Sequence, residues 1–226
     1  MLRSITTAAF ALLMSTAIAQ IDIGTAKIET GKPIGKKNEF GVEVTNFYGL
    51  INTEFESNNP YFVTYRRHFG NWALRAGAGG TLNNVAHQVN GIDTGKDVEM
   101  GVTISAGYER QIWFGNRWGF YYGADVTYSQ GYNGQQVIIG DSSDVFTEVN
   151  TLSSGVALLA GFRFRLNKRL SLGTTASYWV GAVTERLDVN FKDWKRPHLN
   201  TSSNSRSDGF RGFFNEPYSI YVLFDF

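Results

Sequence analysis

The chain has 226 residues, with 25 glycines, four prolines, no cysteine, 15% aromatic and 18% charged residues. That length suits a single domain, and the lack of cysteine excludes a small disulfide-stapled scaffold. A formal net charge of +1 leaves no strong positive field, so nucleic acid is not an expected partner.

Met1-Leu-Arg3 is a short basic start, Thr6 to Ala17 is apolar and small around Phe10-Ala-Leu-Leu-Met14, and Ala17-Ile-Ala19 is a small-x-small site before Gln20. This is the layout of a secretory signal peptide over residues 1–19, with a mature domain expected over 20–226. The apolar run is too short to cross ~30 Å as a helix, and no later segment approaches ~18 consecutive apolar residues. No Cys follows the cleavage site, so no lipoprotein anchor is expected. Arg3 is the only charge in the leader, which leaves 20 basic residues against 20 acidic ones in the mature chain.

The rest of the chain alternates with period 2, the mark of a strand whose two faces meet different surroundings. Strand one is expected over about Glu39 to Leu50, less regular because Asn46 lands on the apolar face, where a bulge would fit. Strand two covers about Tyr61 to Phe69. Strand three sets Trp72, Leu74, Ala76, Ala78 and Leu82 against Arg75, Gly77, Gly79 and Thr81. Strand four sets Val98, Met100, Val102, Ile104, Ala106 and Tyr108 against Glu99, Gly101, Thr103, Ser105, Gly107 and Glu109. Strand five has Trp118, Phe120, Tyr122, Ala124, Val126 and Tyr128 on one face and Gly119, Tyr121, Gly123, Asp125, Thr127 and Ser129 on the other. Strand six sets Leu152, Val156, Leu158, Ala160, Phe162, Phe164 and Leu166 against Ser153, Gly155, Gly161, Arg163 and Arg165. Strand seven runs from about Leu170 to Ala182. The last strand carries Tyr218, Ile220, Val222, Phe224 and Phe226 at every second position. Tight turns are expected near His68–Asn71 and Asn167–Arg169, and a modest one near Gln111–Arg117. Longer polar loops are expected at Asn52–Pro60, Asn83–Asp97, Gln130–Asn150 and Thr184–Asn215.

A soluble lipid-binding barrel also alternates, but it turns its apolar face inward and needs a charged outer face. Here the second face is Gly, Ser and Thr with few charges, which suits a narrow lumen. Ten residues of strand five climb roughly 25 Å at ~3.3 Å per residue and ~40° tilt, the height of an apolar band between aromatic girdles. Leader, alternation and the terminal aromatic stripe together resemble the small bacterial outer-membrane β-barrel proteins of the OmpA/OmpX type. The resemblance implies an all-β, antiparallel up-and-down transmembrane β-barrel of about eight strands in the outer membrane. It also implies that Tyr218, Ile220, Val222, Phe224 and Phe226 form the signal read by the barrel-assembly machinery. Outer-membrane lipid and lipopolysaccharide are the expected surroundings of a monomer.

On these strand frames Glu43, Arg66, Arg75, Glu109, Asp125, Arg163, Arg165 and Asp225 point inward. Isolated charges in a confined lumen are costly, so a salt-bridge network plugging the bore is expected, with Asp225 as a partner of luminal arginines. The three histidines, His68, His87 and His198, form no recognisable triad with Ser and an acid, so no catalytic residue is assigned. Gly77-Ala-Gly-Gly80 lacks the Lys-Ser/Thr and helix of a phosphate loop. Asp93-Thr-Gly-Lys-Asp97 and Asp141-Ser-Ser-Asp144 lack the spacing of a calcium loop. No metal or cofactor is expected. Lys192, Trp194, Lys195 and Arg196 place cations beside an aromatic ring in the longest loop, a possible contact for a surface glycan or lipopolysaccharide. Asn200 to Gly209 reads as a mobile, low-complexity stretch. The expected role is a non-enzymatic barrel that supports the envelope or presents its outer loops for adhesion. The alternatives are a lipid A-modifying enzyme and a narrow porin-like channel or transporter.

Overall fold

The computed structural model describes residues 37–44, 63–89, 92–139, 143–215 and 220–226. The leader and its cleavage site, the loop at 52–60 and Tyr218 lie outside the described residues, as do Asn46 and the rest of strand one beyond 44. The strands are β1 (Asn38–Glu43), β2 (Val63–Phe69), β3 (Trp72–Val89), β4 (Ile92–Phe114), β5 (Trp118–Ile139), β6 (Ser143–Arg165), β7 (Leu170–Asp193), β8 (Thr201–Asn215) and β9 (Ile220–Asp225). All pairings are antiparallel between sequence neighbours from β1 to β7. β9 then pairs with β7 on one side and β1 on the other, which closes the sheet into a ring. β7 pairs with β9 over its first residues and with β8 from Ser177 onward, so β8 and β9 lie end to end and share the eighth place.

The lower connections are short for local reasons. Gly70 follows β2 at φ 70° and Gly115 follows β4 at φ 63°, a left-handed region that side chains disfavour. Asn167 turns β6 into β7 by accepting hydrogen bonds at Oδ1 from the N–H of Arg169 (2.8 Å) and Leu170 (3.0 Å). The turn expected at Gln111–Arg117 is shorter, because β4 continues to Phe114 and Gln111 is buried on its inner face.

The upper connections differ more from expectation. The polar stretches Asn83–Asp97, Gln130–Asn150 and Thr184–Asn215 are mostly strand, not loop. β3 pairs with β4 out to Val89–Ile92, β5 with β6 out to Ile139–Ser143, and β6 with β7 out to Ser143–Asp193. The low-complexity stretch Asn200–Gly209 is most of β8, in register with β7 from Phe191 to Ser177. The reason is that the apolar stripe does not carry on in phase. Val137 and Ile139 on β5 fall on the face that Asp125 and Thr127 hold below, so the ladder forms without a continuous period-2 contrast to mark it.

In the lower half the faces are inverted relative to a water-soluble barrel. Trp118, Tyr122, Val126 and Tyr128 of β5, and Leu152, Val156, Leu158 and Phe162 of β6, are exposed on the outside. Their neighbours Tyr121, Asp125, Thr127, Ala157, Leu159 and Arg163 are buried inside. Aromatic rings band the lower rim: Phe69 stacks on Trp72 at 4.4 Å, and Trp118 packs against Phe164 at 4.6 Å. On β7 and β8 the outer apolar surface ends at Ala182 and Phe210, which face each other, and Thr184 donates from Oγ1 to Asp208 (2.6 Å) one step above. On β3 and β4 it runs further, to the exposed Leu82 and Met100. Above Ala182 and Phe210 the wall rises about ten further residues per strand, roughly 25 Å at the same tilt.

Candidate functional site

The lower bore is filled by charge. Arg66 on β2 bonds through Nη1 to Glu39 Oε1 (2.8 Å) and through Nε to Glu109 Oε2 (3.0 Å). Arg75 on β3 reaches Glu109 Oε2 (3.5 Å) and Asp125 Oδ2 (3.2 Å). Arg163 on β6 crosses the bore to Glu39 on β1, with Nη1–Oε2 at 2.7 Å, and lies 3.7 Å from Glu109 Oε1. Glu39, Glu43 and Glu109 are fully shielded from solvent. The ring of Tyr121 lies beside the guanidiniums of Arg66 and Arg163, at 5.5 and 5.8 Å. Room for that ring is made by Gly161, where a Cβ would fall 2.5 Å from it. The Tyr121 hydroxyl donates to the Thr174 carbonyl at 2.9 Å and also meets Thr175 Oγ1.

Seven of the eight sequence-predicted luminal charges are buried here: Glu43, Arg66, Arg75, Glu109, Asp125, Arg163 and Asp225. Arg165 is half-buried and lies over Trp113 at 4.2 Å. Asp225 is a correction. It forms no direct ion pair with an arginine among the described residues, because Glu39, overlooked in the sequence, takes Arg66 and Arg163. The signal was present, since Glu39 shares the period-2 face of Gly41 and Glu43. His68 is a second correction, lying within β2 and not in the turn, with Nε2 facing Glu39 Oε2 at 3.6 Å.

Glu39, His68 and Asp225 bring three possible ligand atoms within 4.8 Å of one another. Their surroundings do not suit a metal. Gln111 Nε2 donates to Glu109 Oε1 (2.6 Å) and lies 3.3 Å from His68 Nδ1. A carboxylate only accepts, so the amide nitrogen must face it and offers its other hydrogen to Nδ1. The ring hydrogen then sits on Nε2, the atom a metal would need bare. Arg163 already supplies positive charge to the same Glu39 oxygen.

Above the charged layer, Trp179 donates from Nε1 to Thr127 Oγ1 (2.7 Å) and Thr103 donates to Ser129 (2.8 Å). His87 and Asp97 pair at 2.8 Å on the β3–β4 extension, and neither a Ser nor a Thr hydroxyl bonds this histidine among the described residues. Asp97 is thereby a hydrogen-bond partner of His87, and Asp144 accepts from Gln136 Nε2 (3.0 Å). Asp141 lies outside the described residues.

The tip between β7 and β8 is organised by Asp193. Its Oδ1 accepts from the N–H of Lys195 (2.9 Å) and Arg196 (2.8 Å), its Oδ2 from Arg196 Nε (3.0 Å), and its own N–H donates to Asn200 Oδ1 (2.7 Å). A short 3-10 turn, Pro197–Leu199, follows and carries His198. Trp194 is left 65% exposed beside Lys192 and Lys195, while Arg196 is tied to the carboxylate. Of the terminal stripe, Ile220, Phe224 and Phe226 are exposed on the outer face and Val222 is half-buried.

Burial pushes the Asp193 carboxyl up, but the hydrogen bonds from Arg196 and Lys195 outweigh it and hold the group below its ordinary value of 3.8. A depressed carboxylate stabilises the fold above its unfolded pKa and loses that contribution as pH falls through the folded one. The tip is therefore expected to keep one conformation at pH 5 to 7 and to loosen below about pH 4. Asp193→Asn should bring that loosening to neutral pH. The amide resonances of Lys195 and Arg196 report it, and a variant with unchanged shifts refutes the role given to Asp193.

Comparison with family models, curated proteins and solved structures gave no match. What fold and site define is an all-β antiparallel ring, barrel-like, with an ionic interior and an apolar lower exterior.

Proposed function

We propose that the chain is a non-enzymatic integral outer-membrane barrel protein with a closed bore, whose raised wall presents a surface outside the cell. One observation carries the reading: the apolar side chains face outward in a band while Glu39, Arg66, Glu109 and Arg163 are buried inside. In water that arrangement would expose the apolar band and bury the charges, and both are costly. In a bilayer the band meets acyl chains, and closure leaves no sheet edge in lipid. The leader and the outward stripe of Ile220, Val222, Phe224 and Phe226 support the same address and recognition by the barrel-assembly machinery. The adhesive element in this reading is the ordered β7–β8 tip, with Lys192, Trp194 and Lys195 available to anionic glycans or lipopolysaccharide.

The test is membrane fractionation with a gel of boiled and unboiled protein. The chain should sediment with the outer membrane and migrate differently when unboiled. Co-migration of the two samples, or recovery in the soluble fraction, overturns the proposal. Purified protein in planar bilayers should show no stable ohmic pore, because arginine–carboxylate pairs span the bore; a steady open conductance refutes the closed-bore part alone.

A further inference from the structure

The bore is blocked below but open as a cup above. A cavity of about 450 Å³ lies against the inner face of β3 to β6, over the Thr103–Ser129 hydrogen bond that forms its floor. Its inner-face lining is Thr81, Glu99, Ser129, Asn133, Val149 and Thr151 with the bare backbone of Gly101 and Gly131. The volume falls within the range of small-molecule sites.

The lining chemistry is uneven in a telling way. Hydroxyls and one amide offer both donors and acceptors. The single charge among them is Glu99, exposed at the open cup, which makes no ion pair or hydrogen bond among the described residues. One step up the same face of β4, Asp97 Oδ1 is shielded from solvent and accepts no hydrogen bond among the described residues, while Oδ2 is taken by His87. Among the described residues the other acid on the inner face at this level is Glu185, already matched by Arg211 at 2.7 and 3.0 Å. Among the same residues, no cation is left to meet Glu99.

We propose that the upper bore binds a small hydroxylated organic cation of amino-sugar size, with Glu99 holding the ammonium and Thr81, Ser129, Asn133 and Thr151 holding the hydroxyls. This does not depend on where the barrel resides, since every residue named for it belongs to β3 to β6.

Calorimetric titration of the purified full chain in detergent tests it, with glucosamine as the probe. Glucose and N-acetylglucosamine serve as neutral counterparts. Saturable glucosamine binding is expected, with both neutral sugars weaker by about tenfold, the worth of one charge-assisted hydrogen bond. Glu99→Gln should weaken glucosamine by about the same factor. Gly131→Leu should abolish binding by filling the cup. A Cβ at position 131 meets nothing closer than 3.9 Å, so the backbone there has room for a side chain, and retained heat-modifiable mobility verifies that the variant folds. Absence of saturable glucosamine binding overturns the proposal. So does equal binding of the three sugars, and so do variants that bind as the wild type does.

Discussion

Glu109→Leu is expected to cost about 3–5 kcal/mol of stability, at the lower end of the range, because breaking a buried ion pair strands its partner. Glu109 is the hub of the lumen: Arg66, Arg75 and Arg163 all approach it, and Gln111 donates to it. Each arginine keeps one other carboxylate, Glu39 for Arg66 and Arg163 and Asp125 for Arg75, which is why the lower end is favoured. Removing both members of the Arg75–Asp125 pair with apolar residues of similar size should cost less than either single change, since desolvation of both charges is relieved together. Equilibrium urea unfolding of the five proteins (wild type, Glu109→Leu, the two single variants of the pair and the double variant) in lipid or micelles measures this. A Glu109→Leu variant within ~0.5 kcal/mol of wild type would mean that the charges are hydrated and the bore is wet.

The apolar band and the lumen were legible in the sequence because they differ chemically. Where Val126 and Tyr128 face one medium and Asp125 and Thr127 another, period 2 is written into composition and the inward set follows. That outer apolar stripe stops on β7 above Thr184, where Arg186, Asp188, Asn190 and Lys192 take its positions. The strand Thr201–Asn215 begins Thr-Ser-Ser-Asn-Ser, which is compositionally a loop, and only its ladder against β7 makes it a strand. The same blindness hid the cup, which is bounded by glycines and hydroxyls spread over four strands. Ion-pair partners were illegible for another reason. The inward face fixes which charges meet in the bore, but the stagger between strands fixes which pairs touch. Asp225 and Glu39 are directly opposed on β9 and β1, yet only Glu39 stands where Arg66 and Arg163 can reach it.

Leu158→Arg separates a membrane barrel from a soluble one by the sign of its effect. Leu158 is 57% exposed on the outer face, opposite Ala124 at mid-height of the apolar band. If acyl chains surround that face, an arginine at the midplane should destabilise the barrel by about 2–4 kcal/mol. If water surrounds it, removing an exposed leucine should be neutral or improve solubility. Asn204→Arg is the internal control. Asn204 is exposed on β8 opposite Asp188, three steps above Ala182–Phe210, and its change should stay within ~0.5 kcal/mol in either medium. Folding into phosphocholine bilayers, followed by denaturant titration, gives both numbers on one scale. A large penalty at 158 with none at 204 places the lipid boundary between them. Equal small effects at both positions would remove the bilayer from the account and leave the exposed apolar band to be covered by protein instead.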